Sequence, residues 1–157
     1  MRKNNITKNS RTMFLFLAGV LVLFPILFKL RPSVVLRNDT GQIIYIYVME
    51  RVSSHDEPSV QEVEQLKKVR VVKPNGELTV TPSLGSLLKR NIELDIGWRI
   101  NGRTESPSGR GSQAFSLGSE NGACHYAIRI NESKSEWQKE QGDLCIKKIA
   151  PLNQEIE

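Results

Sequence analysis

The sequence predicts an all-β sandwich of about eight short strands preceded by one N-terminal transmembrane helix. Three observations carry this expectation. An apolar run from Met13 to Phe28 is flanked by cations, apolar residues alternate with period two through most of the chain past Pro32, and Gly and Pro fall mainly in the connections between the alternating runs. At 157 residues the chain has room for one ordinary domain and an anchoring segment, because a single core organises roughly 100 to 200 residues. The division is a basic cytoplasmic N-terminus over 1–12, a transmembrane signal anchor over 13–31, an extracytoplasmic β-sandwich over 32–151 and a short tail over 152–157 that frays.

Within the apolar run only the small Gly19 and Pro25 interrupt the large side chains, and Lys29 extends the run to Leu30 by turning its ammonium outward. Some 16 to 18 residues at about 1.5 Å each span roughly 24 to 27 Å, the short end of what crosses a bilayer core of about 30 Å. A cleaved export signal needs small residues after its apolar core, whereas Phe28, Lys29, Leu30 and Arg31 are bulky or charged and Pro32 follows. A lipoprotein signal needs a cysteine where Val20 follows Leu17, Ala18 and Gly19. A buried helix apolar on every face needs a larger surrounding core than the remaining chain supplies. Arg2, Lys3, Lys8 and Arg11 precede the run, against Lys29, Arg31 and Arg37 after it. Since cations stay on the cytoplasmic side, the N-terminus is expected inside and the domain in the periplasm or an equivalent space, as a single-pass protein of the cell inner membrane that touches lipid through this helix.

The formal net charge of +5 comes from the flanks of that run. Residues 1–31 hold six cations and no acid, and the rest of the chain balances 16 basic against 17 acidic side chains. A nucleic-acid function therefore loses its main support.

Past Pro32 the elements follow in order. VVLR, NDTG and QIIYIYVMERV read as two strands around a turn. The second places Ile44, Ile46, Val48 and Val52 on one face and Ile43, Tyr45, Tyr47 and Met49 on the other, so it is apolar on both sides and suits the middle of a sheet pair. SVQEVEQLKKV, residues 59–69, has helical spacing and reads as a short connecting helix or turn. KVRVVKPNGELTVTP carries a hairpin signal, with Pro74 setting the entry and Asn75 and Gly76 able to take positive φ. NIELDIGWRING alternates a core face (Ile92, Leu94, Ile96, Trp98, Ile100) with a wet one (Glu93, Asp95, Gly97, Arg99). SQAFSL, GSENG and ACHYAIRI read as another hairpin with Cys124, Tyr126, Ile128 and Ile130 inward, and DLCIKKIA as the last strand. Short strands punctuated in this way indicate a sandwich of immunoglobulin-like kind.

Cys124 and Cys145 are the only cysteines, and both fall in the part expected outside. An oxidising compartment lets them pair, which closes a loop of about 20 residues worth ~3 kcal/mol and ties the penultimate strand to the last. Two unpaired buried thiols are the alternative. Cys124, His125, Cys145 and His55 make a poor metal site, because adjacent Cys124 and His125 point to opposite sides of a strand and no CxxC or HxxxH spacing occurs. The same steric point counts against a Cys–His catalytic pair.

Two polar loops, SSHDEPS and NGRTESPSGRGSQ, are the candidate binding loops, with His55, Asp56, Arg103 and Arg110 as their recognition side chains. His55 beside Asp56 reads as a solvated pair before a general base. GRGS at 109–112 lacks the lysine and following helix of a phosphate cradle, and no cofactor is implied. N-x-S/T triplets at Asn5, Asn38 and Asn131 matter only in a eukaryotic secretory route. Two function classes remain. The first is an anchored envelope module that binds a protein partner, as a secretion or envelope assembly subunit or as an immunity protein against a periplasmic toxin. The second is a membrane-tethered serine hydrolase in which Lys89 activates Ser86, the two forming an S-x-x-K pattern. That pattern lacks the K-T-G of penicillin-recognising enzymes, so binding rather than catalysis is expected.

Overall fold

The computed structural model describes residues 29–53, 60, 64, 68–100, 109–142 and 144–152. The anchor's Met13–Phe28 run, His55, Asp56 and Arg103 lie outside them. So does most of the 59–69 segment, of which Val60 and Glu64 are helical. Among the described residues no helix is long and apolar enough to cross a membrane.

Among the described residues nine strands form two sheets, with very little helix. The strands are β1 (Ser33–Asn38), β2 (Ile44–Val52), β3 (Arg70–Val72), β4 (Glu77–Val80), β5 (Ile92–Ile100), β6 (Arg110–Leu117), β7 (His125–Ile130), β8 (Ser135–Glu140) and β9 (Ile149–Pro151). The helix α1 (Leu84–Leu88) separates β4 from β5. One sheet has the order β4-β1-β7-β8 and the other β3-β2-β5-β6-β9. All neighbours are antiparallel except β1 and β7, which run parallel from Ser33↔His125 to Asn38↔Ile130. An antibody domain has antiparallel sheets in a different order, so the likeness reaches the two-sheet architecture and stops short of the connectivity.

The period-two code determines what is buried. Val34 and Leu36 of β1 and Tyr126, Ile128 and Ile130 of β7 face inward from the first sheet. Ile44 and Ile46 of β2, the even-numbered residues of β5, Phe115 of β6 and Ile149 of β9 face them from the second. Tyr126 sits at the centre, its ring 5.3 Å from Phe115 and 5.8 Å from Trp137. Cys124 is buried beside it, so the four residues expected inward from this segment are all inside.

The connections depart from expectation. The PNG turn forms, with Asn75 at φ 58 and Gly76 N–H donating to the Lys73 carbonyl at 2.9 Å. Yet its flanking strands do not pair with each other: β3 joins β2 and β4 joins β1. Pro74 in the first central position fixes a negative φ and forbids the primed turns whose twist suits a hairpin, so the chain splays into two sheets. A Cβ on Gly76 would stand 2.9 Å from the Lys73 carbonyl oxygen, which reserves that corner for glycine. The SQAFSL to ACHYAIRI hairpin is likewise a crossing between sheets, since β6 pairs with β9 and β7 with β1 and β8. Ala123 and Ile149 exchange backbone hydrogen bonds of 2.9 Å, handing the chain from one sheet to the other. β1 and β2 also lie in different sheets.

β8, SEWQKE, gives no strand signal in the sequence, because an edge strand whose one partly buried apolar residue is Trp137 carries no apolar alternation. Of DLCIKKIA only its end belongs to β9. Cys145 therefore lies between β8 and β9, and its disulfide to Cys124 (Cα–Cα 5.6 Å) joins that connection to the residue before β7, not one strand to the next.

Candidate functional site

Alternation leaves every second residue of the five-stranded sheet on its outer side. Tyr45, Tyr47, Met49 and Arg51 of β2 lie in register with Arg99, Gly97, Asp95 and Glu93 of β5. β6 continues the rows with Arg110, Ser112, Ala114 and Ser116. Of the two apolar sides of β2, the Ile44 and Ile46 face enters the core, and Tyr47 and Met49 are half-buried on the opposite side.

That outer side forms a cleft of about 620 Å³. Tyr47, Met49, Ala114 and Leu152 give it apolar walls, and Gly97 leaves a gap in its floor between Tyr47 and Ser112. A Cβ built on Gly97 would stand 3.9 Å from the Gly111 carbonyl oxygen and from Tyr47 Cβ, so the floor accepts a methyl group in ordinary contact. One end of the cleft is charged. Arg51 reaches Glu93 at 2.8 Å and Asp95 at 2.9 Å, and Glu93 also accepts the Ser53 hydroxyl. One guanidinium therefore serves two carboxylates, of which Glu93 is nearly inaccessible. Asp95 is held above its ordinary value of 3.8, chiefly by burial, with Arg51 opposing the shift and Glu93 adding to it.

This arrangement offers a shaped apolar floor with a polar rim, which suits recognition of another molecule. Tyr provides large contact area at modest conformational cost, and the flexible thioether of Met adapts to the surface it meets. Among the described residues no group of three or more His, Cys, Asp or Glu side chains is placed to hold a metal ion. His125 hydrogen-bonds the Ser33 hydroxyl at 2.8 Å, and Cys124 is in the disulfide.

The other candidate residues are dispersed. Arg110 opens β6 on the same outer side, in register with Arg99 at the opposite end from Arg51. Ser86 lies in α1, where its hydroxyl donates to Glu50 and stands 3.1 Å from the Ser83 hydroxyl. Lys89 caps the helix through its backbone N–H to the Ser86 carbonyl at 3.2 Å. Among the described residues no hydrogen bond joins the Lys89 ammonium to Ser86 Oγ, and the proton of that hydroxyl points to a carboxylate. The cleft itself was missed. Its signal was present in the second apolar face of β2, Tyr45, Tyr47 and Met49, which sequence alone could not distinguish from a second core face.

No protein-family model matches the chain, and neither does any curated protein.

Proposed function

We propose that the chain is a single-pass envelope protein, N-terminus cytoplasmic, whose periplasmic immunoglobulin-like sandwich binds a protein partner through the outer side of its five-stranded sheet. Such a partner fits a secretion or envelope assembly, or a toxin that the domain neutralises. The observation that carries the proposal is the cleft over β2, β5 and β6, where half-buried Tyr47 and Met49 stand beside the side-chain-free floor at Gly97 and an ion-paired rim. Buried aromatic anchors ringed by polar groups are what protein interfaces concentrate their energy in. The disulfide suits an oxidising compartment.

The test places a photo-crosslinking residue at Tyr47, and separately at exposed Arg129 on the outer side of the other sheet, in the full chain in its own membranes. Position 47 is expected to give one dominant protein adduct that disappears when Gly97→Phe fills the floor, and position 129 none. Equal adducts at both positions, or an adduct indifferent to Gly97→Phe, would sink the proposal. Ser86→Ala is expected to leave the crosslink and the cellular phenotype intact; its loss, with the fold retained, would point to the hydrolase instead.

A further inference from the structure

Four segments meet at the end of the sandwich where β1 and β7 begin: residues 29–32, 81–90, 118–124 and 144–148. Ile146 N–H donates to the Leu30 carbonyl at 2.8 Å. Arg31 donates to Thr81 Oγ1 at 2.9 Å and to the Pro82 carbonyl. Lys147 Nζ donates to the Lys89 carbonyl at 2.5 Å. The segments are thereby stitched around the point where the chain arrives from residue 28.

This end carries exposed apolar and cationic side chains together. Leu88 and Leu144 are 85% and 78% exposed, and Ile146 is 40% exposed. The same segments carry Lys29, Lys89, Arg90, Lys147 and Lys148 beside Arg31. Of the neighbouring carboxylates, Glu50 accepts from Ser83 and Ser86, and Glu93 and Glu140 are ion-paired with Arg51 and Arg37. Glu120 on the 118–122 turn remains among the described residues. Bare leucines set among lysines and arginines match the boundary between headgroups and acyl chains, where leucine enters the apolar layer and the ammonium groups reach back to phosphates.

We propose that this end is a membrane-contact surface that rests on anionic phospholipid. The occupant is named by two facts: the excess of cations, and the direction from which the chain comes, since residues 13–28 join it here. Only the nearness of the bilayer rests on the anchored reading; partner binding in the cleft plays no part. Seated in this way, the sandwich stands on end, the outer cleft opens sideways, and the β7–β8 turn points away from lipid.

The full chain, carrying a photo-crosslinking residue at Leu88, Leu144, Lys134 or Val20, is reconstituted in vesicles of phosphatidylethanolamine and phosphatidylglycerol. Lipid adducts are expected at 88, 144 and 20, and none at 134 on the β7–β8 turn. The combined variant Lys89→Glu and Lys148→Glu should remove the adduct at 144 and retain that at 20. Adducts at 20 without any at 88 and 144 would overturn the contact surface and leave the anchor standing. Adducts at 88 and 144 without any at 20 would support the surface and overturn the spanning segment. No adducts at 20, 88 or 144 would overturn both.

Discussion

The carboxamide of Asn38 is fully buried and holds three parts of the chain at one corner. Its Nδ2 donates to the carbonyls of Gln42, Val72 and Lys73, and its Oδ1 accepts from the backbone and hydroxyl of Thr40. Asn38→Ala removes these bonds and leaves the buried Thr40 N–H without its acceptor, and is expected to cost about 2 to 4 kcal/mol in urea unfolding. In the sequence this residue opened an unremarkable polar turn or a glycosylation triplet, because partners 34 and 35 residues away leave no trace in local pattern. Gly111 is similar. A Cβ there would lie 2.4 Å from the Trp98 ring, so Gly111→Ala should cost about 1 to 3 kcal/mol and shift tryptophan emission. Asp95 makes a prediction about pH. Its folded carboxyl titrates above 3.8, so the protonated form favours the native state. That contribution is full below 3.8 and is lost as pH rises through the higher folded midpoint. Asp95→Asn is therefore expected to gain stability relative to the parent between acid and neutral pH, read by urea unfolding at both. A parent and variant that keep the same difference throughout would show that the raised titration has no effect on folding.

At the scale of elements, strands were more legible than their partners. β5 announced its core face because Ile, Leu and Trp alternate strictly with Glu, Asp, Gly and Arg, but of the face expected wet only Arg99 is exposed, Glu93 being buried beneath Arg51 and Ser53. The turns at Pro74–Gly76 and around Gly118–Gly122 were also legible, but which sheet each flanking strand joins depends on turn type and on distant edges. α1 went unread because one turn is too short for a hydrophobic period. What defines it is a cap: Ser83 Oγ accepts from Ser86 N–H at 3.1 Å, while Glu50 accepts the Ser83 N–H at 2.7 Å. Ser83→Ala is expected to lower stability by about 1 kcal/mol through loss of that cap. A change under a few tenths would mean that packing of Leu87 alone holds the turn.

For the whole molecule, two sheets and a closed disulfide were anticipated from alternation and from two cysteines in the part expected outside. The cleft was not, because the outer side of a sheet becomes a site only through register, which places Gly97 between Tyr47 and Ser112. Replacing Cys124 and Cys145 by Ser together should cost about 3 kcal/mol, since the separation of 21 residues sets the loop whose freedom returns on unfolding. A bulky maleimide added to full-length protein in membranes is expected to label neither cysteine until reductant is added, with the mass of the uncleaved chain. Labelling without reductant under denaturing conditions would overturn an oxidised domain outside the cytoplasm. The parallel pairing of β1 with β7 carries a further consequence, in time. Ser33 meets His125 across 92 residues, so the first strand to leave a ribosome or a translocation pore waits for nearly the last before its sheet closes. Closure of that sheet is then a late event, although β1 with β4 and β2 with β5 can pair before β7 arrives, and stopped-flow refolding should fall in the slow range of milliseconds to seconds set by such distant pairings.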